Sequence, residues 1–147
     1  MRDSVWEACE VPELTPTNPV TGVPAAPPTT ALAHFEALLS LETDCWDVHE
    51  TMGDPNPGFM VFDVRSPELY EAGHLPGAVN LPHRRINLRN LSAYPEDLLC
   101  VVYCAGPHCN GADKAAVRLA SLGRPVKKMI GGIEGWKDEG FPLDTGT

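Results

Sequence analysis

Two short stretches are apolar at every position, Phe59-Met60-Val61-Phe62 and Leu98-Leu99-Cys100-Val101-Val102-Tyr103, and each ends at a polar or reactive residue. A strand that alternates apolar and polar residues can leave one face to water. A strand with no polar face must be covered on both sides, as in a parallel sheet. Each stretch is followed by a turn and a helical pattern. Ser66-Pro67-Glu68 supplies a cap with proline at the first helical position, then Leu69, Tyr70 and Ala72, with Gly73 as the stop. Residues 78–81 read as a short strand, 112–122 as a helix stopped by Gly123, and 125–130 as a last strand. Gly131-Gly132 is a turn and 133–139 a terminal helix. The expectation is an α/β fold: an open parallel sheet of about five strands with helices on both faces.

Upstream the pattern differs. Residues 9–30 carry six of the fifteen prolines and read as an extended arm without helix or central strand, which Trp6 and Val11 can dock. From Ala31 the chain turns helical, capped by Thr29 or Thr30, with Leu32, Phe35, Leu38 and Leu39 as one apolar stripe. Residues 43–50 form a second short helix capped by Thr43 or Asp44, and Asp54-Pro55-Asn56-Pro57-Gly58 is a turn.

The formal charge of −9 is confined to one end. Residues 1–60 hold ten acids against Arg2 alone, whereas residues 61–147 hold ten acids and ten bases. An acidic total argues against nucleic acid or an anionic membrane as partner. No apolar run approaches the ~18 residues of a membrane span. The N-terminus carries no secretory pattern, and five cysteines are not an extracellular disulfide framework, so a reduced, cytoplasmic setting is expected.

Ligands of an open parallel sheet sit at the carboxyl ends of its strands. Two loops there carry reactive groups: Asp63–Ser66 and Cys104–Gly111. Cys104 ends a strand and precedes a Gly- and Pro-containing loop and a helix, so backbone N–H groups and the helix N-terminus converge near its sulfur. Those dipoles are expected to lower its pKa and populate the nucleophilic thiolate. The alternative is that Cys104, like Cys100, is only a small apolar residue of a strand. Cys9 and Cys45 are read as incidental.

The chain resembles the rhodanese (sulfurtransferase) homology domain over about residues 30–143. Residues 63–82 (DVRSPELYEAGHLPGAVNLP) are similar to that family's N-terminal signature, Val101-Val102-Tyr103-Cys104 to its active-site strand, and Gly131-Gly132-Ile133-Glu134-Gly135-Trp136 to its C-terminal signature. The resemblance implies two regions, a Pro-rich arm at 1–30 and a rhodanese-like domain at 31–147. It also implies a sulfurtransferase in which Cys104 takes sulfane sulfur from a small anion such as thiosulfate. The sulfur is held as a persulfide and passed to cyanide or a thiol, which a protein acceptor can supply. Ala105, Gly106, Pro107, His108, Cys109, Asn110 and Gly111 would form the active-site loop and donate backbone N–H groups. Arg65, Arg84 and Arg85 are candidates to attract the anionic donor, with a salt bridge or solvated face as the alternative. Asp63 and His74 occupy signature positions that look structural, and Trp136 looks like core. No cofactor or metal is expected: zinc at Cys104, His108, Cys109 and His83 lacks a C-x₂-C pair.

The loop departs from the family pattern. It contains no Arg or Lys and is about two residues longer, and in its length it resembles the loop of the related cell-cycle phosphatases and arsenate reductases. Their C-x₅-R pattern needs a guanidinium at the sixth position after the cysteine, where this chain has Asn110, which disfavours phosphatase chemistry. Cys109 is the additional feature: as a resolving thiol it can close a disulfide with Cys104. Two other readings stay open, a thiol redox switch built on Cys104 and Cys109 and a non-catalytic interaction module.

Overall fold

The computed structural model describes residues 18–147, and the chain divides after Phe35 into two units. In the first, Asn18 caps a four-residue helix α1 (Pro19–Gly22), its side-chain oxygen accepting from the Val20 and Thr21 N–H groups. Pro28 opens helix α2 (Pro28–Leu41), which runs across the division. The stretch expected to be wholly extended is thus helical at 19–22 and again from 28. Proline is excluded from a helix interior but suits its first turn, where the missing N–H has no partner to lose. The expected docking of Trp6 and Val11, and the reading of Cys9, fall outside the described residues. No residue of α2 is buried, and Leu32, Phe35 and Leu39 of its stripe are exposed. Alanines 31, 33 and 37 spread small residues around this helix, so the stripe is weak.

The second unit is built on one five-stranded parallel sheet, in the order β1-β5-β4-β2-β3. The strands are β1 (Glu42–Thr43), β2 (Phe59–Asp63), β3 (Val79–Asn80), β4 (Leu99–Tyr103) and β5 (Val126–Met129). The helices are α3 (Cys45–Thr51), α4 (Pro67–Ala72), α5 (Leu88–Leu91), α6 (Gly111–Ser121) and α7 (Gly132–Asp138), with a 3₁₀ turn at His83–Arg85. β1 was not legible: two residues following a helix carry no period, and only pairing with Lys128 and Met129 makes them a strand. α3 is capped by Asp44, whose carboxylate accepts from the Asp47 N–H at 2.8 Å.

Alternation along β4 sends Cys100, Val102 and Cys104 to one core and Val101 and Tyr103 to the other. Phe62, Val64, Ala115 and Leu119 join the first; Val48, Leu75, Met129, Ile133 and Trp136 join the second. Both faces of the central strands are therefore covered, as their wholly apolar sequence requires. Trp136 is fully buried, and its indole N–H donates to the Pro142 carbonyl at 2.8 Å. No described helix is long and apolar enough to cross a membrane.

Candidate active site

β2 and β4 lie side by side, and the chain leaves their carboxyl ends in opposite directions, to β3 and to β5. Such a switch point holds the two loops apart and opens a crevice there. The charges of the loop after β2 are paired internally. Asp63 is fully buried, and its carboxylate accepts from the Arg65 guanidinium at 2.7 and 3.0 Å, from the Arg65 N–H at 3.0 Å and from the Tyr103 hydroxyl at 2.6 Å. Arg65 also donates to the Gly73 carbonyl at 2.6 Å, and the Leu75 N–H donates to the Tyr103 oxygen. Burial, with the Asp63 carboxylate alongside, pushes the Tyr103 phenol far up, so it remains a protonated donor. The network fixes the residue immediately before Cys104.

Arg65 forms the salt bridge given as the alternative: it is 8% exposed, with Nε and Nη2 bonded to the Asp63 carboxylate and Nη2 also to the Gly73 carbonyl. An unpaired arginine would not tolerate that burial, and the nearby carboxylate captures it. His74 is satisfied as anticipated, its Nδ1 bonded to the Tyr70 carbonyl at 2.7 Å and its ring stacked on Tyr70. Tyr103 is the member of this set that the sequence reading missed. Its signal was a hydroxyl in an otherwise apolar strand, which needs a buried partner.

The loop after β4 is clamped from below. The Ile133 and Glu134 N–H groups at the start of α7 donate to the Cys104 and Ala105 carbonyls, both at 3.0 Å. This close approach needs Gly132: a Cβ there would stand 2.5 Å from the Cys104 carbonyl oxygen, and its φ of +60° is left-handed. The double glycine of the C-terminal signature thus seats the Cys104 backbone.

Cys104 itself is 8% exposed and lies at a cleft of about 550 Å³ walled by Cys45, Trp46, Gly106, Cys109 and Gly132. Its Sγ is 2.8 Å from Cys109 Sγ. Residues 106–109 form a tight turn, with the Cys109 N–H donating to the Gly106 carbonyl at 3.0 Å and Pro107 second in the turn. The Gly111 N–H, first in α6, donates to Cys109 Sγ at 3.4 Å. Pro107, His108 and Asn110 are exposed.

The expected depression of the Cys104 pKa is not what this arrangement produces. Burial pushes the Cys104 thiol up to about 11, and its hydrogen bond to Cys109 adds to the rise. Cys109 moves down, because Cys104 and then the Gly111 N–H bond to its sulfur. Of the four described cysteines it is the one shifted that way, since burial raises Cys45 and Cys100 as well. Burial is the largest cause at Cys104, whereas at Cys109 the hydrogen bond from Cys104 comes first and that from the Gly111 N–H second.

The bases do not gather at the cleft either. Arg84 lines a separate groove with His83, Lys114 and Arg118, and Arg85 another with Asn80 and Asn90. The cleft is lined instead by Asp44, Asp113 and Glu139 with Lys128, whose ammonium is held by Asp113 at 3.0 Å and Glu42 at 3.4 Å. Among the described residues no three His, Cys, Asp or Glu side chains converge as a metal site would need.

Comparison with known proteins agrees with this geometry. The chain is 39% identical over 84 residues to the HTH-type transcriptional regulator Rv0324 of Mycobacterium tuberculosis. That match takes in 57% of this chain but only 37% of the regulator. It is 33% identical over 91 residues to the thiosulfate sulfurtransferase GlpE of Pseudomonas entomophila, covering 60% of this chain and 78% of that enzyme. Among solved structures, the BH2092 protein of Bacillus halodurans superposes with a TM-score of 0.78 at 38% identity, over 81% of this chain and 87% of that one. The family model for the rhodanese-like domain matches residues 46–139, which hold the Asp63 network, the Cys104 loop and the Gly131-Gly132 clamp. The chain belongs to the rhodanese-like domain family.

Proposed function

We propose that this protein is a sulfurtransferase that carries sulfane sulfur as a persulfide on Cys104. The observation that carries this reading is the seat of Cys104. It is a single-rotor thiol at the carboxyl end of the central strand, its backbone clamped by α7 and its sulfur at the cleft. Relatives named as sulfurtransferases support the same class of reaction. In the loading step the Cys104 thiolate attacks the outer sulfur of a donor and expels the donor's remainder, sulfite in the case of thiosulfate. A thiophilic acceptor, cyanide or a thiol, then takes that sulfur and returns Cys104 to its thiolate. Three carboxylates and a paired lysine around the cleft disfavour a dianionic donor, so a neutral or singly charged persulfide fits better than thiosulfate. The test is loading by a persulfide and by thiosulfate, followed by cyanide, with thiocyanate measured by colour and the intact mass taken before cyanide. A gain of about 32 Da on Cys104, abolished in Cys104→Ser, is expected. Absence of both adduct and thiocyanate with every donor would remove the reading.

A further inference from the structure

Cys109 is drawn against Cys104 by three features of the loop. Pro107 sits second in the 106–109 turn, where its fixed φ favours the reversal that brings residue 109 back over residue 104. Gly111 leaves the room: a Cβ there would stand 2.6 Å from Cys104 Sγ and 3.5 Å from Cys109 Sγ. The Gly111 N–H then bonds the Cys109 sulfur. The outcome is a sulfur–sulfur separation of 2.8 Å between two free thiols, a short step from the ~2.05 Å of a disulfide.

We propose that Cys109 discharges the Cys104 persulfide internally, attacking its inner sulfur to form a Cys104–Cys109 disulfide and expel hydrosulfide. This step rests on the persulfide reading above. The Cys109 thiolate forms the new bond to Cys104 Sγ, and the bond from Sγ to the outer sulfur breaks. Its electron pair leaves with the outer sulfur, which departs with its own proton as HS⁻. The sulfane sulfur is thereby reduced by two electrons, and the two cysteine sulfurs are oxidised to the disulfide. No external oxidant enters. A dithiol reductant, or two equivalents of a monothiol, then reopens the disulfide for the next turnover. The activity is that of a thiol-dependent persulfide reductase, with hydrosulfide as product.

The site of attack follows from position. An external acceptor approaches from the cleft and meets the outer sulfur first. Cys109 already touches Sγ of Cys104 before any sulfur is loaded, so the inner sulfur is its neighbour. The Gly111 N–H bond to the Cys109 sulfur does not depend on the state of Cys104 and favours the thiolate that such an attack needs.

The test uses the full chain, reduced and then freed of reductant under argon, with one equivalent of glutathione persulfide. Hydrosulfide is trapped with monobromobimane, and the protein is mapped by mass. For the unaltered protein, one equivalent of hydrosulfide and a peptide bridging Cys104 to Cys109 are expected. In Cys109→Ser and Cys109→Ala an adduct of about 32 Da should persist on Cys104, with hydrosulfide release at least about tenfold lower. A persistent adduct on Cys104 of the unaltered protein would overturn the proposal while leaving sulfur carriage intact. Finding the extra sulfur on Cys109 without hydrosulfide would overturn it equally. Failure of both Cys109 variants to take up sulfur would overturn the carriage reading, and this proposal with it.

Discussion

Substituting Gly111 by alanine separates the chemistry of the Cys104 sulfur from the stability of the fold. The added methyl would lie 2.6 Å from Cys104 Sγ, where ordinary contact begins near 3.4 Å. The overlap is therefore close to 1 Å, and the neighbouring Cys104 Cβ at 3.5 Å is not itself crowded. Relief comes most cheaply by rotating the Cys104 thiol, because Gly111 is backbone of α6 and Cys104 is clamped by α7. Overpacking of this kind costs about 1–3 kcal/mol. The helical preference of alanine over glycine returns up to ~1 kcal/mol. The net loss is about 0–3 kcal/mol, a modest fall in Tm. Displacing a reacting atom by 1 Å, in contrast, costs about 10²-fold in rate. Persulfide formation on Cys104 in Gly111→Ala should thus fall about a hundredfold with a nearly native melting curve. Stopped-flow loading by glutathione persulfide and thermal unfolding by circular dichroism measure the two quantities. An unchanged loading rate would refute the claim that Gly111 holds the sulfur in its reactive position. A rate loss accounted for by the unfolded fraction would refute it as well.

Gly132→Ala should behave oppositely: its methyl would meet backbone at 2.5–2.8 Å at a φ of +60°, so urea denaturation should show a loss of several kcal/mol. Arg65→Ala leaves the buried Asp63 carboxylate with the Tyr103 hydroxyl but no cation, and should cost about 3–5 kcal/mol by the same measurement. Replacing both partners by apolar residues of similar size should recover much of that; no recovery would mean the pair acts otherwise than through burial. Iodoacetamide mapping should find Cys109 alkylated before Cys104 at neutral pH, since a lowered pKa leaves more thiolate below pH 9 and a raised one leaves less. Preferential labelling of Cys104 would reverse that assignment. With thiosulfate as donor, kcat/KM should rise with ionic strength, because salt screens the cleft carboxylates Asp44, Asp113 and Glu139 from the dianion. A fall would indicate a basic donor path.

The covered parallel sheet was legible because two of its strands have no polar face. Caps and stops at Asp44, Ser66 and Gly73 placed the neighbouring helices within a residue or two. Cys104 as the residue of interest was equally legible, since its position at a strand end before a Gly-Pro loop is local information. What the chain order withheld was every partnership at long range. Nothing local shows that the Arg65 guanidinium bonds the Asp63 carboxylate and the Gly73 carbonyl, contacts that only the folded loop displays. Nothing local says how deeply Cys104 is buried, and that burial is the largest cause of its raised pKa. The acidic balance followed the same rule: a net charge is a sum over sequence, but the field at a site depends on which charges line it. Sequence by itself determined the architecture and the place of Cys104 at the end of a buried strand, because strand burial and turn chemistry act over a few residues. Tertiary structure alone decided the burial of Cys104, the partners of Asp63 and Arg65 and the charge of the cleft, because those depend on which residues far apart in the chain are brought together.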